Sequence, residues 1–213
     1  MAGWESLRVD LRRVSEESPG ALRVFPVPDR ARREPPFYIE LAAWATDIAA
    51  MLNAKYGSLV DLRVGAMTFP ARQLWVTDHA RQLHGAPAES AGLYVEPLSP
   101  LTVETGRFTK EDVLVTNRAA HTHVLATGGD LQSAVTDGSG SVVGRYVGPH
   151  TAKRVEFWIE PHQSRPVPVL IGTASMVPDL GYAVPPGQWG LVIELQTDSG
   201  SLQLAPLELT ITP

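Results

Sequence analysis

The sequence has no cysteine, which excludes a disulfide framework, a thiolate-bound zinc and a thiol nucleophile. Lysine occurs only at positions 55, 110 and 153, and the formal net charge is −5 at pH 7. Binding to nucleic acid needs clustered cations against phosphates, so no nucleic-acid partner is expected. Long hydrophobic runs are missing too. The most apolar stretch, LAAWATDIAAML, carries Asp47 at its middle and is too short to span a bilayer. The opening MAGWESLRVDLRRV has none of the apolar core of a secretory leader. These absences place the protein, as an expectation, in the cytoplasm and away from membranes.

Signatures of chemistry are equally scarce. Gly172-Thr173-Ala174-Ser175 does not have the spacing of a nucleophile elbow. Gly138-Ser139-Gly140-Ser141 lacks the Gly-Lys-Ser/Thr ending and the following helix of a phosphate loop, and reads as a hairpin turn. No catalytic residue and no cofactor is assigned.

What is present is an ordinary packing composition. The chain has 213 residues, 44% hydrophobic and 19% charged, enough to bury a core without metal or disulfide. The preference for Arg over Lys, with abundant Ala, Val, Gly and Pro, has the texture of a GC-rich bacterial genome. Residues 1–91 read as a strand-helix-strand element and linker. Leu7, Val9 and Leu11 alternate with Arg8, Asp10 and Arg12, which predicts a strand, a short helix being the alternative. Leu22 to Val27 is a second strand cut off by Pro26 and Pro28. After the charged connector 29–34 and Pro35-Pro36, the residues Phe37, Leu41, Trp44, Ile48, Met51, Leu52 and Tyr56 form one stripe at helical spacing. A helix over Phe37–Tyr56 is predicted, ended by Gly57, and Val60 to Met67 alternates as a strand. Strands 22–27 and 60–67 flanking the helix would make a βαβ unit. Residues 71–91, with Trp75, His79 and His84, are read as a connector.

From Gly92 the texture changes. Short β-type runs recur at roughly ten-residue spacing between Gly, Pro, Asp and Asn, the pattern of an antiparallel sandwich. The runs begin at Leu93, Thr102, Asp112, His121, Leu131, Ser141, Arg154, Pro166, Trp189 and Leu202. The alternation is cleanest at Val155-Phe157-Ile159, Trp189-Leu191-Ile193-Leu195 and Leu207-Leu209-Ile211. The fold class expected is mainly β, an immunoglobulin-like antiparallel sandwich over 92–213 with the N-terminal α/β element, its core built on Phe157, Trp189, Ile193 and Leu209.

Two segments carry a resemblance. One is the proline turn from Ile159-Glu160-Pro161-His162 to Pro166-Val167-Pro168-Val169; the other is Gly172-Thr173-Ala174-Ser175 with Leu180-Gly181-Tyr182-Ala183-Val184-Pro185-Pro186-Gly187-Gln188-Trp189. Over roughly Pro100–Pro213 the chain resembles uncharacterised actinobacterial immunoglobulin-like proteins. Its turn grammar is similar to that of intracellular proteinase inhibitors of the BsuPI type. The resemblance implies a fold and assigns no active residue.

The candidate sites are few. His121 and His123, two apart, would face the same side of a strand and could share a metal ion; a solvent-facing strand edge is the plainer reading. His79 and His84 lie off the spacing of one helix face, and His150 and His162 fall in loops. Glu104, Glu111 and Asp112 cluster near the start of a strand. Arg12-Arg13 and Arg30 to Arg33 are the basic clusters, diluted by Glu16, Glu17 and Glu34. The function expected is a non-enzymatic structural or protein-interaction module, with a protein partner or self-association through the Phe37–Tyr56 helix. The alternatives are an inhibitor-like module acting through loop 148–152 or 173–188, a metal-binding protein or enzyme using His121 and His123, and ligand binding at surface aromatics such as Tyr146 or Trp158.

Overall fold

The computed structural model describes residues 2–26, 37–65, 86–148, 153–197 and 200–213. The predicted connectors over 29–34 and 71–85, with Trp75, His79 and His84, and His150 lie outside the described residues, as does most of loop 148–152.

The chain opens with helix α1, Ala2–Glu17, where alternation predicted a strand. Leu7, Asp10, Leu11 and Val14 are the buried positions, at three- and four-residue spacing, whereas Val9 is 67% exposed. The strand reading failed because Asp10 looked like an outward residue. It is buried, and its carboxylate accepts hydrogen bonds from Lys55 Nζ at 2.6 Å and Tyr56 Oη at 2.7 Å. A polar residue thus completes the stripe that an apolar pattern cannot show.

Strands β1, Leu22–Pro26, and β2, Phe37–Leu41, follow, then helix α2, Thr46–Tyr56, and strand β3, Val60–Val64. The predicted helix over Phe37–Tyr56 is therefore corrected: its first five residues are a strand. Phe37, Ile39 and Leu41 face the core while Tyr38 and Glu40 face away, a period of two that fits the same sequence as well as a period of 3.6. Strand β2 pairs antiparallel with β1 and parallel with β3. The βαβ unit exists, but its first strand is β2, and β1 is the antiparallel neighbour. The apolar cover of α2 comes from α1 and this three-stranded sheet: Leu7, Leu11, Ile39, Leu41, Leu52 and Tyr56 share one core.

The remaining strands are β4 (Ala86–Pro87), β5 (Leu93–Pro97), β6 (Leu101–Glu104), β7 (Phe108–Asn117), β8 (His123–Thr127), β9 (Leu131–Thr136), β10 (Val142–Arg145), β11 (Val155–Ile159), β12 (Ser164–Gly172), β13 (Ala174–Ser175), β14 (Gly187–Thr197), β15 (Gly200–Gln203) and β16 (Leu207–Thr212). They form a β-sandwich closing towards a barrel, with the path β11-β8-β14-β9-β12-β7-β5 and side branches. The fold is mainly β and immunoglobulin-like, with an N-terminal α/β element. It is not wholly antiparallel, for β9 pairs with β12, β6 with β16 and β4 with β15 in parallel. Strand β14 pairs with β8, β9, β15 and β16. Leu191, Ile193 and Leu195 are fully buried on its inner side, and Val192 on the other face is 1% exposed.

Of the four expected core residues, Ile193 and Leu209 are fully buried, while Phe157 and Trp189 pack half-buried against the core. Trp158, on the opposite face of β11, is 54% exposed. Ile193→Ala should lower the unfolding free energy by about 2–5 kcal/mol. Trp158→Ala should change it by about 0.5 kcal/mol or less. Chemical denaturation of the two variants measures the contrast.

Candidate functional site

Three places bring polar or aromatic side chains together. The first is the histidine pair. Strand β8 starts at His123, so His121 lies in the turn before it and not on the strand. The rings nevertheless meet, with centroids 4.5 Å apart and planes tilted by 54°. His123 is buried, and its Nε2 sits 2.9 Å from the Ala91 carbonyl oxygen. A carbonyl only accepts, so in this contact Nε2 carries a hydrogen and donates it. No group of three or more His, Cys, Asp or Glu able to hold a metal ion occurs among the described residues.

The turn carrying His121 is held by Asn117, the fully buried last residue of β7. Its Nδ2 donates to the carbonyls of His121 (2.8 Å) and Ile159 (2.9 Å), and its Oδ1 accepts from Ala119 N (2.8 Å). One amide therefore satisfies three backbone groups where β7, β8 and β11 meet. Nothing in a sequence distinguishes such an Asn from a turn Asn.

The second place lies between the N-terminal element and the sandwich. Glu40 is 2% exposed. Tyr38 Oη donates to its Oε1 at 2.9 Å and Tyr182 Oη to its Oε2 at 3.0 Å. In the sheet register Arg23 and Arg63 stand opposite Glu40 on either side. The guanidiniums stack on aromatic faces, Arg23 on Phe25 and Tyr182, and Arg63 on Tyr38. Burial pushes both phenols above the usual tyrosine range, and the Glu40 carboxylate adds to this. Tyr182 belongs to the segment joining β13 to β14. That segment is anchored on the sandwich by Thr105 Oγ1 donating to the Val184 carbonyl, Val184 N to Thr173 O and Ser175 N to Tyr182 O. Reading 37–41 as a strand would have placed Tyr38 and Glu40 on one face, but their partner lies 142 residues away.

The third place is on the sandwich surface. Phe108 is 59% exposed and meets Tyr146 edge to face at 5.1 Å, and Val147, next to Tyr146 in the chain, is 49% exposed. The neighbouring Arg145 has a buried Nε with no hydrogen-bond partner. An open groove of about 500 Å³ runs alongside Phe108, bounded by Thr102, Glu104, Arg107 and Thr212.

The other sequence candidates stay apart. Glu111 and Asp112 are adjacent on β7, so they point to opposite faces, and Glu111 accepts from Thr109 Oγ1. The Asp137 side chain accepts from Ser139 N, Ser139 Oγ and Ser141 N. The Gly138–Ser141 stretch is the predicted hairpin turn, and these bonds hold the Asp137 carboxyl below its usual range. His162 sits in the turn between β11 and β12 at φ 59°. Arg12 and Arg13 are exposed on α1, where Arg13 pairs with Asp10 at 3.4 Å.

No protein-family model matches the chain, and no curated protein matches it by sequence. Distant matches exist among solved structures. Spo0M, a sporulation control protein from Bacillus subtilis, is 12% identical over 62% of this chain and 51% of its own, with a TM-score of 0.31. The chain thus spans about half the length of that structure. A CARDB domain from Pyrococcus furiosus is 10% identical, covering 57% of this chain and 94% of its own, with a TM-score of 0.30. A PapD-like domain of human CEP192 is 12% identical, covering 57% and 86%, with a TM-score of 0.26. All three likenesses concern the β-sandwich architecture and assign no role.

Asn117→Ala should cost about 3 kcal/mol or more, because three backbone groups lose their partner at once. Asn117→Asp, which keeps the shape but not the two N–H donors, should cost a similar amount; denaturant unfolding measures both. The pH profile of stability should fall at both ends. The Lys55 hydrogen bond, and then that of Tyr56, hold Asp10 below its ordinary 3.8. Its contribution is present above that value and lost as pH falls through the depressed folded value. Tyr38, Tyr56 and Tyr182 are raised above 10.0, in each case first by burial. Their contribution is complete below 10 and lost as pH rises through the folded values. Asp10→Asn should flatten the acid limb and Tyr182→Phe the alkaline limb, read by thermal unfolding across pH.

Proposed function

We propose that the chain is a structural or protein-interaction module that meets its partner on the sandwich surface around Phe108, Tyr146 and Val147. The observation carrying this reading is the exposure of Phe108 and Val147 together, 59% and 49%, beside the Phe108–Tyr146 ring contact. An aromatic group left in water and adjoined by a polar groove is the composition of a recognition patch, where aromatics supply most of the binding energy.

The Phe37–Tyr56 segment serves this role less well than the sequence suggested, because its apolar residues are used within the N-terminal core. The inhibitor-like alternative needs an exposed, free loop. Segment 173–188 has Thr173, Ser175 and Val184 fully buried and leans on the N-terminal element, which disfavours it as an inhibitory loop; the other loop of that alternative, 148–152, lies mostly outside the described residues.

The test is affinity capture from native cells with the full chain and with Phe108→Ala/Val147→Ser, alongside sedimentation for self-association. Both substitutions are at exposed positions and should shift stability by about 1 kcal/mol or less. The variant should lose the captured partner, or the self-association, at unchanged fold. Identical capture and identical sedimentation for both chains would overturn the proposal.

A further inference from the structure

Among the described residues, two large hydrophobic cores share no residue. One joins α1, α2 and the three-stranded sheet; the other fills the sandwich. Among the described residues, the contacts at the seam between them combine hydrogen bonds with close approach of small residues. Tyr182 N donates to the Gly20 carbonyl at 3.0 Å, Trp44 Nε1 donates to the Leu180 carbonyl at 2.7 Å, and Tyr182 Oη donates to Glu40 at 3.0 Å. The backbones touch there because the residues are small. A Cβ on Gly181 would collide with the Gly20 carbonyl and the Ala42 side chain, and one on Gly20 with Ala183. Both glycines also have φ near +80°, at 79° and 83°, which side chains rarely adopt.

The two sides of the seam are built differently from the seam itself. On one side Glu40 is fixed by Tyr38 and by its place between Arg23 and Arg63 in the sheet. On the other, segment 176–186 is tied to the sandwich by Thr105, Thr173 and Ser175 and by Trp189 Nε1 donating to the Pro185 carbonyl. Each half is held firmly within its own body. Across the seam, the phenol of Tyr182 reaches the buried carboxylate, and its ring lies 5.4 Å from the Arg23 guanidinium. Bodies that share no apolar core move relative to one another more readily than bodies that do.

We propose that the Tyr182–Glu40 contact is a latch between two separately cored bodies, and that the chain opens at this seam while both bodies stay folded. Opening presents the Glu40 carboxylate and the Gly20 carbonyl to solvent or to a partner. This proposal is independent of the Phe108 surface, which lies on the sandwich body alone.

The test is hydrogen exchange by NMR on the full chain, with the Trp44 indole assigned by comparison with Trp44→Phe. The two seam probes are the Trp44 indole N–H and the Tyr182 amide. The core probes are the Ile193 and Leu52 amides, one in each body. In Tyr182→Phe, which removes one hydroxyl, exchange at both seam probes should accelerate together by about ten- to a hundredfold, the loss expected for a hydrogen bond to a charged acceptor. The core probes should not change. Gly181→Ala, which wedges the seam without altering any polar group, should give the same pattern. Seam probes that stay at wild-type rates, or that respond separately from each other, would overturn the latch. So would core probes that lose protection in step with the seam, since that is unfolding and not opening.

Discussion

The pairing of strand β14 is the constraint on which the sandwich depends. Its first half bonds to β16 and β9 and its second half to β15 and β8. Its middle is covered on both faces, with Leu191, Ile193 and Leu195 buried on one and Val192 on the other, while Gln188 and Gln196 towards its ends are exposed. Each such side chain contributes about 1.5–3 kcal/mol by leaving water. A strand in this position cannot slip by one residue without moving three large aliphatic groups to the wrong face. It therefore sets the register of the four strands around it.

A second constraint acts where β14 begins. The segment leading into it carries Tyr182 towards Glu40, so the strand that organises the sandwich also anchors the arm that docks the N-terminal element. A buried carboxylate is costly unless its lone pairs are satisfied. Two phenols donate to that of Glu40, Tyr38 from the N-terminal body and Tyr182 from the sandwich. The consequence is specificity of docking more than stability of either part, since each body has its own core.

Much of the sandwich was legible because alternation and turn chemistry are local. The runs beginning at Leu93, Leu131 and Trp189 lie within a few residues of observed strands, and the Asp137–Ser141 turn is where its Gly and Ser placed it. The N-terminal element was legible in kind and wrong in boundaries. Phe37, Ile39 and Leu41 satisfy a two-residue period while Phe37, Leu41 and Trp44 satisfy a helical one, and only packing against β1 and β3 chose between them. In α1 the misleading residue was Asp10, whose burial rests on Lys55 and Tyr56, far along the chain.

The histidine pair shows the same division. The two-residue strand spacing does not hold, since His121 lies in the turn before the strand; the rings meet because Asn117 holds that turn, and the His123 Nε2 hydrogen points to the Ala91 carbonyl. By itself the sequence determined the strand-rich character of 92–213, the turns that divide it and the absence of thiol chemistry, because composition and short-range period depend on neighbours in the chain. Only the tertiary structure decided the parallel pairings, the cover of α2, the burial of Glu40 and the seam at Tyr182. Those depend on contacts between residues tens to more than a hundred positions apart, for which no local pattern carries information.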